Sequence, residues 1–139
     1  MNNDTVSIAK SWIRTKWVHG QSLKGVGADC IQFIISVAKE SGQIPEEYKS
    51  IRYSQDWALH NSRSILLEEI QKLCIQISIE DIQVGDILIF NYGKCASHAG
   101  IYIGDGKMIH SKIRSGVVES GISRYMPRFN SAWRIYSGR

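Results

Sequence analysis

The sequence predicts an α+β domain in which N-terminal helices pack on a C-terminal antiparallel sheet. Three observations predict it. Helical spacing of apolar residues fills the first half of the chain. After Gly85 the pattern changes to short apolar runs of strand length. Gly104-Asp105-Gly106 then joins two of those runs as a hairpin. At 139 residues the chain is long enough for one domain, residues 1–139, with a single core. It carries no internal repeat and no low-complexity tract.

The elements follow in order. Residues 4–18 read as a helix capped by Asp4, with Val6, Ala9, Ile13 and Trp17 on one face and Trp12 near it. Gly20 to Gly27 is a glycine-bearing loop. Asp29 caps a second helix whose buried stripe is Ile31, Ile34, Ile35 and Ala38. Ser41-Gly42 ends that helix, with Pro45 just beyond. Residues 43–62 read as loop with a short helix around Asp56–His60, and residues 63–74 as a third helix. Asp86-Ile87-Leu88-Ile89-Phe90 is apolar on both faces and reads as a central strand. Residues 98–103, 107–113, 117–119 and 131–136 supply the remaining strands.

Composition narrows the class. Hydrophobic residues at 43% and charged residues at 22% are those of an ordinary globular protein. No apolar run approaches the roughly 20 residues that cross a bilayer, so no membrane insertion is expected. The N-terminus has no basic region followed by an apolar stretch, so no signal peptide is expected and the chain is read as cytoplasmic when made. Three cysteines, Cys30, Cys74 and Cys95, cannot form a complete disulfide set, and none lies in a C-x-x-C pair. The net charge of +4 is scattered, with no Lys/Arg run dense enough for a nucleic-acid arm. A mildly basic surface suits an anionic partner, either nucleic acid or a carboxylate-rich wall polymer, and charge alone does not choose between them.

One cysteine and two histidines carry the chemistry. Cys30 falls at the first turn of the second helix, where unsatisfied N–H groups and the positive dipole end favour a thiolate. Taken alone it reads more readily as a small buried hydrophobe, which is what most free cysteines are. His98 and His110 change that reading. A two-residue Asp105-Gly106 turn would set Ile101 opposite His110 and put His98 on the other face. A three-residue loop, Gly104-Asp105-Gly106, would pair Ile103 with Lys107 and Gly100 with His110. His98 and His110 would then be diagonal neighbours on one face, about 7–8 Å apart at the backbone, with Gly100 leaving space between them. The three-residue loop with a bulge is the expectation, because Ala99, Ile101, Ile103 and Ile109 then share the opposite face as core. In that arrangement His98 is the base for Cys30, and His110 holds the His98 ring in the productive tautomer. His19 and His60 have no nameable partner. Cys95-x-x-His98 lacks a second half with zinc spacing, so neither a metal nor another cofactor is expected.

Taken together these residues resemble the NlpC-type cell-wall peptidases, a papain-like family of cysteine enzymes. The resemblance rests on Trp17-Val18-His19-Gly20, Asp29-Cys30, Gly85-Asp86-Ile87-Leu88-Ile89-Phe90, His98-Ala99-Gly100-Ile101-Tyr102-Ile103-Gly104 and Met108-Ile109-His110-Ser111, and covers roughly residues 6–136. It implies a papain-like fold, with Cys30 as nucleophile, His98 as base and His110 as orienting residue. It also implies that Trp17, Asp29 and Ser97 contact substrate. Family members cut amide bonds in peptidoglycan stem peptides, typically beside D-glutamate and a diamino acid. The stretch from Val18 to Cys30 looks closest to forms carried by phages and gene-transfer agents. That implies a phage-tail or secretion-system partner able to deliver the protein to the periplasm or cell wall. The chain departs from the family pattern at Ile31-Gln32, where Ser-Gly is usual, and at Trp17, where a Tyr hydroxyl is common; the oxyanion would then rest on the backbone N–H of Cys30. Two other functions use the same residues. One is acyl transfer or thioester hydrolysis on a different substrate. The other is a non-catalytic tail or wall-binding domain.

Overall fold

The computed structural model describes residues 2–54 and 64–136. Its elements run α1 (Asn2–Ser11), β1 (Ser22–Leu23), β2 (Gly27–Ala28), α2 (Cys30–Glu40), α3 (Ile65–Leu73), β3 (Cys74–Ile77), β4 (Ile87–Tyr92), β5 (Cys95–Gly104), β6 (Lys107–Lys112), β7 (Gly116–Gly121) and β8 (Phe129–Ile135). Strands β3 to β8 form one six-stranded sheet in the order β3-β8-β4-β5-β6-β7, with every pairing antiparallel. The predicted α+β architecture is therefore present, and β4 occupies the interior of the sheet as its doubly apolar sequence requires.

Each face of the sheet has its own core. On one face Ile87, Ile89, Ala99, Ile101, Ile109 and Trp133 pack with the stripe of α2 and with Leu66 and Ile70 of α3. On the other, Leu88, Phe90, Met108 and Ala132 pack under Tyr125, from the loop that follows β7. Period-two alternation along β4 feeds both clusters, which is why its run of apolar residues has no polar break. The expected stripe of α2 is buried throughout: Ile31, Ile34, Ile35 and Ala38 are each at most 4% exposed.

The first helix departs from expectation at both ends. It begins at Asn2, so Asp4 lies in its first turn and is not its cap, and it stops at Ser11 instead of residue 18. The reason for the early stop is tertiary. Arg14 takes φ +83°, and residues 14–16 are drawn into backbone hydrogen bonds with β7 and β2. Arg14 N–H donates to Val117 O, Val117 N–H to Thr15 O and Ala28 N–H to Lys16 O. Gly116 makes this approach possible, since a Cβ there would lie 2.3 Å from Thr15 O. The buried positions of α1 are Thr5 and Ala9, continued by Trp12, while Val6, Ile13 and Trp17 are only half-buried.

Two other elements differ. Cys74, expected as the last helical residue, is the extended C-cap of α3 and opens β3, an edge strand paired with β8. The 3₁₀ turns at Ile79–Asp81 and Met126–Arg128 carry no helical periodicity. The short helix expected around Asp56–His60 lies outside the described residues. No helix among the described residues is long and apolar enough to cross a membrane.

Candidate active site

The sequence places Cys30 at the start of α2 through its neighbour. Asp29 is the N-cap, its Oδ1 accepting from Gln32 N–H at 2.8 Å. Its Oδ2 accepts from Gly20 N–H at 2.8 Å and from the Tyr53 hydroxyl at 2.7 Å, with His19 Nδ1 4.0 Å away. One buried carboxylate therefore fastens the loop at Gly20, the strand-like segment at Tyr53 and the first turn of α2. Because the cap occupies the N–H of Gln32, the N–H groups of Cys30 and Ile31 are the donors left at the helix start. They lie beside the thiol, where an oxyanion would form. The resemblance assigned Asp29 to substrate; its oxygens serve the scaffold, and Asp29 acts on Cys30 by positioning it.

The Cys30 side chain is 8% exposed and lies against β5. Its Sγ donates to Ser97 O at 3.7 Å, a hydrogen bond to the backbone preceding His98 and not to the His98 ring. Burial, with the Asp29 carboxylate adding to it, pushes the thiol up to about 12, although the N–H groups of Ala99, Cys30 and Ile31 pull the other way. This corrects the expectation that the helix start would leave a thiolate. Desolvation outweighs the dipole, and the resting group is the thiol.

The histidines lie where the Gly100–His110 pairing requires, and the hairpin reaches that register by a different route. Asp105 and Gly106 both have positive φ, +54° and +71°, and form a two-residue turn closed by the Gly104–Lys107 pair. A bulge between Tyr102 and Gly104 then shifts the register, so that Tyr102 faces Met108 and Gly100 faces His110. Ile103 is the residue taken up in the bulge and does not pair with Lys107. The core face anticipated from this register is present: Ala99, Ile101 and Ile109 are buried, with half-buried Ile103 against them.

On the opposite face His98 Nε2 lies 2.6 Å from His110 Nδ1, and His110 Nε2 lies 2.8 Å from Ser120 Oγ. Gly100 is what allows this. A Cβ there would meet Met108 Sδ at 2.5 Å and His110 Cβ at 3.2 Å. Burial, reinforced by the charge of Lys112, pulls His98 down to about 4, and burial, His98 and Lys112 pull His110 down to about 3. Both rings are therefore neutral near pH 7. Two arrangements of protons satisfy the chain, and the one a base requires has His98 Nε2–H donating to His110 Nδ1 and His110 Nε2–H donating to Ser120 Oγ. It leaves His98 Nδ1 as a lone pair, which a base needs. The rings are walled by aromatics: Tyr125 stacks on His98 at 6.4 Å, while Tyr92 meets it edge-on at 5.8 Å.

The two halves meet along β5. A bulge in its pairing with β4, between Phe90 and Asn91, lies beside Ser97. Ser111 Oγ, next to His110, donates to Ala28 O at 2.7 Å, which ties the histidine strand to the segment leading into Cys30. Ser97 meets the thiol through its backbone carbonyl. Trp17 is half-buried in the loop beyond α1. Tyr53, which donates to Asp29 and accepts from Gln32 Nε2 at 3.2 Å, was missed in the sequence because it stands in a stretch without periodicity. Gln32, one of the two departures from the family pattern, thus has a partner of its own. Cys95 is buried, and among the described residues no group of three His, Cys, Asp or Glu side chains could hold a metal ion.

Comparison with known proteins bears on the family and the fold. The NlpC/P60 family profile matches residues 14–134. The murein DD-endopeptidase MepS/murein LD-carboxypeptidase of Escherichia coli K12 is 32% identical over 71 residues, covering 50% of this chain and 38% of the relative. The gamma-D-glutamyl-L-lysine dipeptidyl-peptidase of Bacillus subtilis is 34% identical over 92 residues, covering 64% of this chain and 25% of the relative. The chain thus spans well under half the length of these curated relatives. Among solved structures, an NlpC/P60 family protein from Bacillus cereus superposes with a TM-score of 0.69 at 23% identity, over 97% of this chain and 40% of that one. The NlpC/p60 domain of the peptidoglycan hydrolase SagA gives 0.66 at 18% identity, over 97% of this chain and 99% of that domain. With a profile match across most of its length and this fold around the cysteine and histidines, the chain belongs to the NlpC/P60 family.

Proposed function

We propose that this chain is a cysteine peptidase that hydrolyses amide bonds in peptidoglycan stem peptides, with Cys30 as nucleophile, His98 as base and His110 as the residue that orients it. The observation that carries the reading is the His98–His110–Ser120 chain of hydrogen bonds. With His98 Nε2–H as the donor, it leaves a neutral imidazole nitrogen for a proton on the strand whose backbone already touches the Cys30 thiol. Hydrogen bonds between nucleophile and base tighten when substrate arrives, so the resting contact with Ser97 O is compatible with the role. The names of the relatives point to the same wall polymer.

The steps use the groups in hand. Cys30 transfers its proton to His98 Nδ1 as Sγ attacks the amide carbonyl, since a thiol held near 12 is not ionised beforehand. The carbonyl oxygen takes the negative charge and is met by the N–H groups of Cys30 and Ile31. The His98 imidazolium keeps its Nε2–H on His110 and gives the Nδ1 proton to the departing amine. Water, deprotonated by the same nitrogen, then cleaves the acyl-enzyme and restores the thiol. A phage tail or secretion machine as carrier belongs to the same proposal and is supported by the Val18–Cys30 stretch.

The test is digestion of purified peptidoglycan with the wild-type protein and with Cys30→Ala, read by mass spectrometry of the released muropeptides. New fragments from the wild type alone are expected, and their masses identify the bond. The buried, protonated thiol is the one feature that favours a non-catalytic wall-binding domain. Silence from both proteins, with the wild type folded and bound to the wall, would establish that alternative.

A further inference from the structure

The chain after α2 has no helix or strand over residues 41–54, yet it is fastened at two points. At the first, the Tyr48 hydroxyl donates to Glu69 Oε1, a carboxylate buried in α3 whose other oxygen meets Lys72 Nζ at 2.8 Å. At the second, Gln32 Nε2, on the first turn of α2, donates to Ser50 Oγ at 2.9 Å and to the Tyr53 hydroxyl at 3.2 Å. Tyr53 in turn donates to Asp29 Oδ2 at 2.7 Å. Asp29 is buried, and a carboxylate that has given up its hydration needs donors. Two of those it has are backbone N–H groups, of Gly20 and Gln32; Tyr53 is the side chain among them. Burial, with Asp29 adding to it, pushes the Tyr53 hydroxyl well up, so it stays a donor throughout the neutral range.

What Tyr53 does for Asp29 reaches Cys30 by two routes. Asp29 caps α2 one residue before the nucleophile. A carboxylate held from both sides therefore fixes the first turn, and with it the N–H groups of Cys30 and Ile31. Burial and then the Asp29 charge oppose ionisation of the thiol. A donor on the carboxylate draws that charge toward itself and away from Sγ. We infer that Tyr53 is a positioning residue for the nucleophile: its hydroxyl holds the Asp29 carboxylate, orients the first turn of α2 through it and screens the Cys30 thiol from its charge, while Gln32 seats Tyr53. This rests on the peptidase reading above and deepens it. It also gives Gln32 a purpose where the family pattern has glycine, since glycine has no side chain to reach Ser50 or Tyr53.

The experiment makes Tyr53→Phe in the full chain, alone and combined with Asp29→Asn. Two quantities are read: kcat and KM on soluble muropeptides, and the rate at which iodoacetamide alkylates Cys30, followed by mass spectrometry. Tyr53→Phe is expected to lower kcat about tenfold, with KM within about twofold of the wild type. With Asp29 in place it should slow alkylation several-fold more than it does in the Asp29→Asn background. A change of access to the thiol would act in both backgrounds and cancels in that comparison. Tyr48→Phe loosens the same segment at its other anchor, and should leave kcat and alkylation near wild type even where it lowers Tm. Equal effects of Tyr53→Phe on alkylation in the two backgrounds would overturn the inference while leaving the peptidase reading intact. So would equal losses of kcat in Tyr48→Phe and Tyr53→Phe, which would mark the segment as a general support. If no protein cuts a muropeptide, that counts against the peptidase reading and alkylation alone decides: a slowing that depends on Asp29 upholds the role of Tyr53, and its absence overturns it.

Discussion

The cysteine side and the histidine side of this site are built on opposite principles. Around Cys30 the neighbouring polar side chains are spent within the protein, and only the N–H groups of Cys30 and Ile31 stay open: Asp29 alone holds Gly20, Gln32 and Tyr53, and Gln32 holds Tyr53 and Ser50. Around His98 the rings are tied to one another, and the cations Lys112, Arg124 and Arg128 lie against the tyrosines that wall His98. A region with its hydrogen bonds closed is rigid and sets geometry. On the histidine side burial, and then the charge of Lys112, keeps the base neutral. The comparison says where the backbone precision of the site comes from and where its proton affinity is set.

The sharpest way to break the histidine side is Gly100→Ala. The added methyl meets Met108 and the Cβ of His110, so it should part His110 from His98. Activity on peptidoglycan is expected to fall at least tenfold, with a stability cost of about 1–3 kcal/mol from overpacking. Peptidoglycan digestion and chemical denaturation check both, and wild-type activity would mean the histidine pairing is dispensable. The cysteine side is tested by Asp29→Asn, which keeps a capping oxygen and removes the charge. Because that charge raises the thiol, its loss should lower the pKa and speed alkylation of Cys30 at pH 8 several-fold, measured by mass spectrometry with Cys74 and Cys95 as internal references. An unchanged rate would mean that burial alone sets the thiol.

Acid separates the two sides further. His98 and His110 are depressed from the ordinary 6.5 to about 4 and about 3, so the unfolded chain binds protons that the folded one refuses. Their contribution to stability is complete above pH 6.5 and is lost as pH falls from there toward 4 and 3. Thermal unfolding should show Tm declining over that window, with a shallower decline in His110→Gln. The same titration of His98 should give kcat/KM an acid limb near pH 4. The smallest effect is expected at the tie between the halves. Ser111→Ala removes its hydrogen bond to Ala28 O at a cost of about 1 kcal/mol or somewhat more, because that carbonyl is left buried. A larger loss of activity than of stability would show that the tie sets the distance between Cys30 and the histidines.

What could be read from the sequence was what local chemistry decides. Asp29, the stripe of α2 and its Ser41-Gly42 end lie within one helix, and period and cap identify it. The facing of His98 and His110 followed from a short turn and a consistent core face, even though a two-residue turn plus a bulge at Ile103 replaced the expected three-residue loop. Both routes add the same single residue to one strand, so the register is insensitive to which one occurs. The rest depended on distant partners. Helix α1 ends where Val117 of β7 captures Arg14 and Thr15, far away in sequence. Tyr53, Arg124 and Arg128 stand in irregular segments, where no periodicity marks them. The thiol was misjudged because a dipole is visible in a sequence and burial is not.

The relay from His98 to Ser120 contains no ion. An imidazolium formed at its head would settle against dipoles only, so it is a strong acid with a short lifetime. Such a catalyst does not store a reactive ion pair between turnovers. Covalent probes that wait for a standing thiolate should therefore label Cys30 slowly. Those that present a carbonyl in the substrate's place, and so trigger the proton transfer themselves, should be far faster; the resting site is quiet by construction and wakes on occupancy.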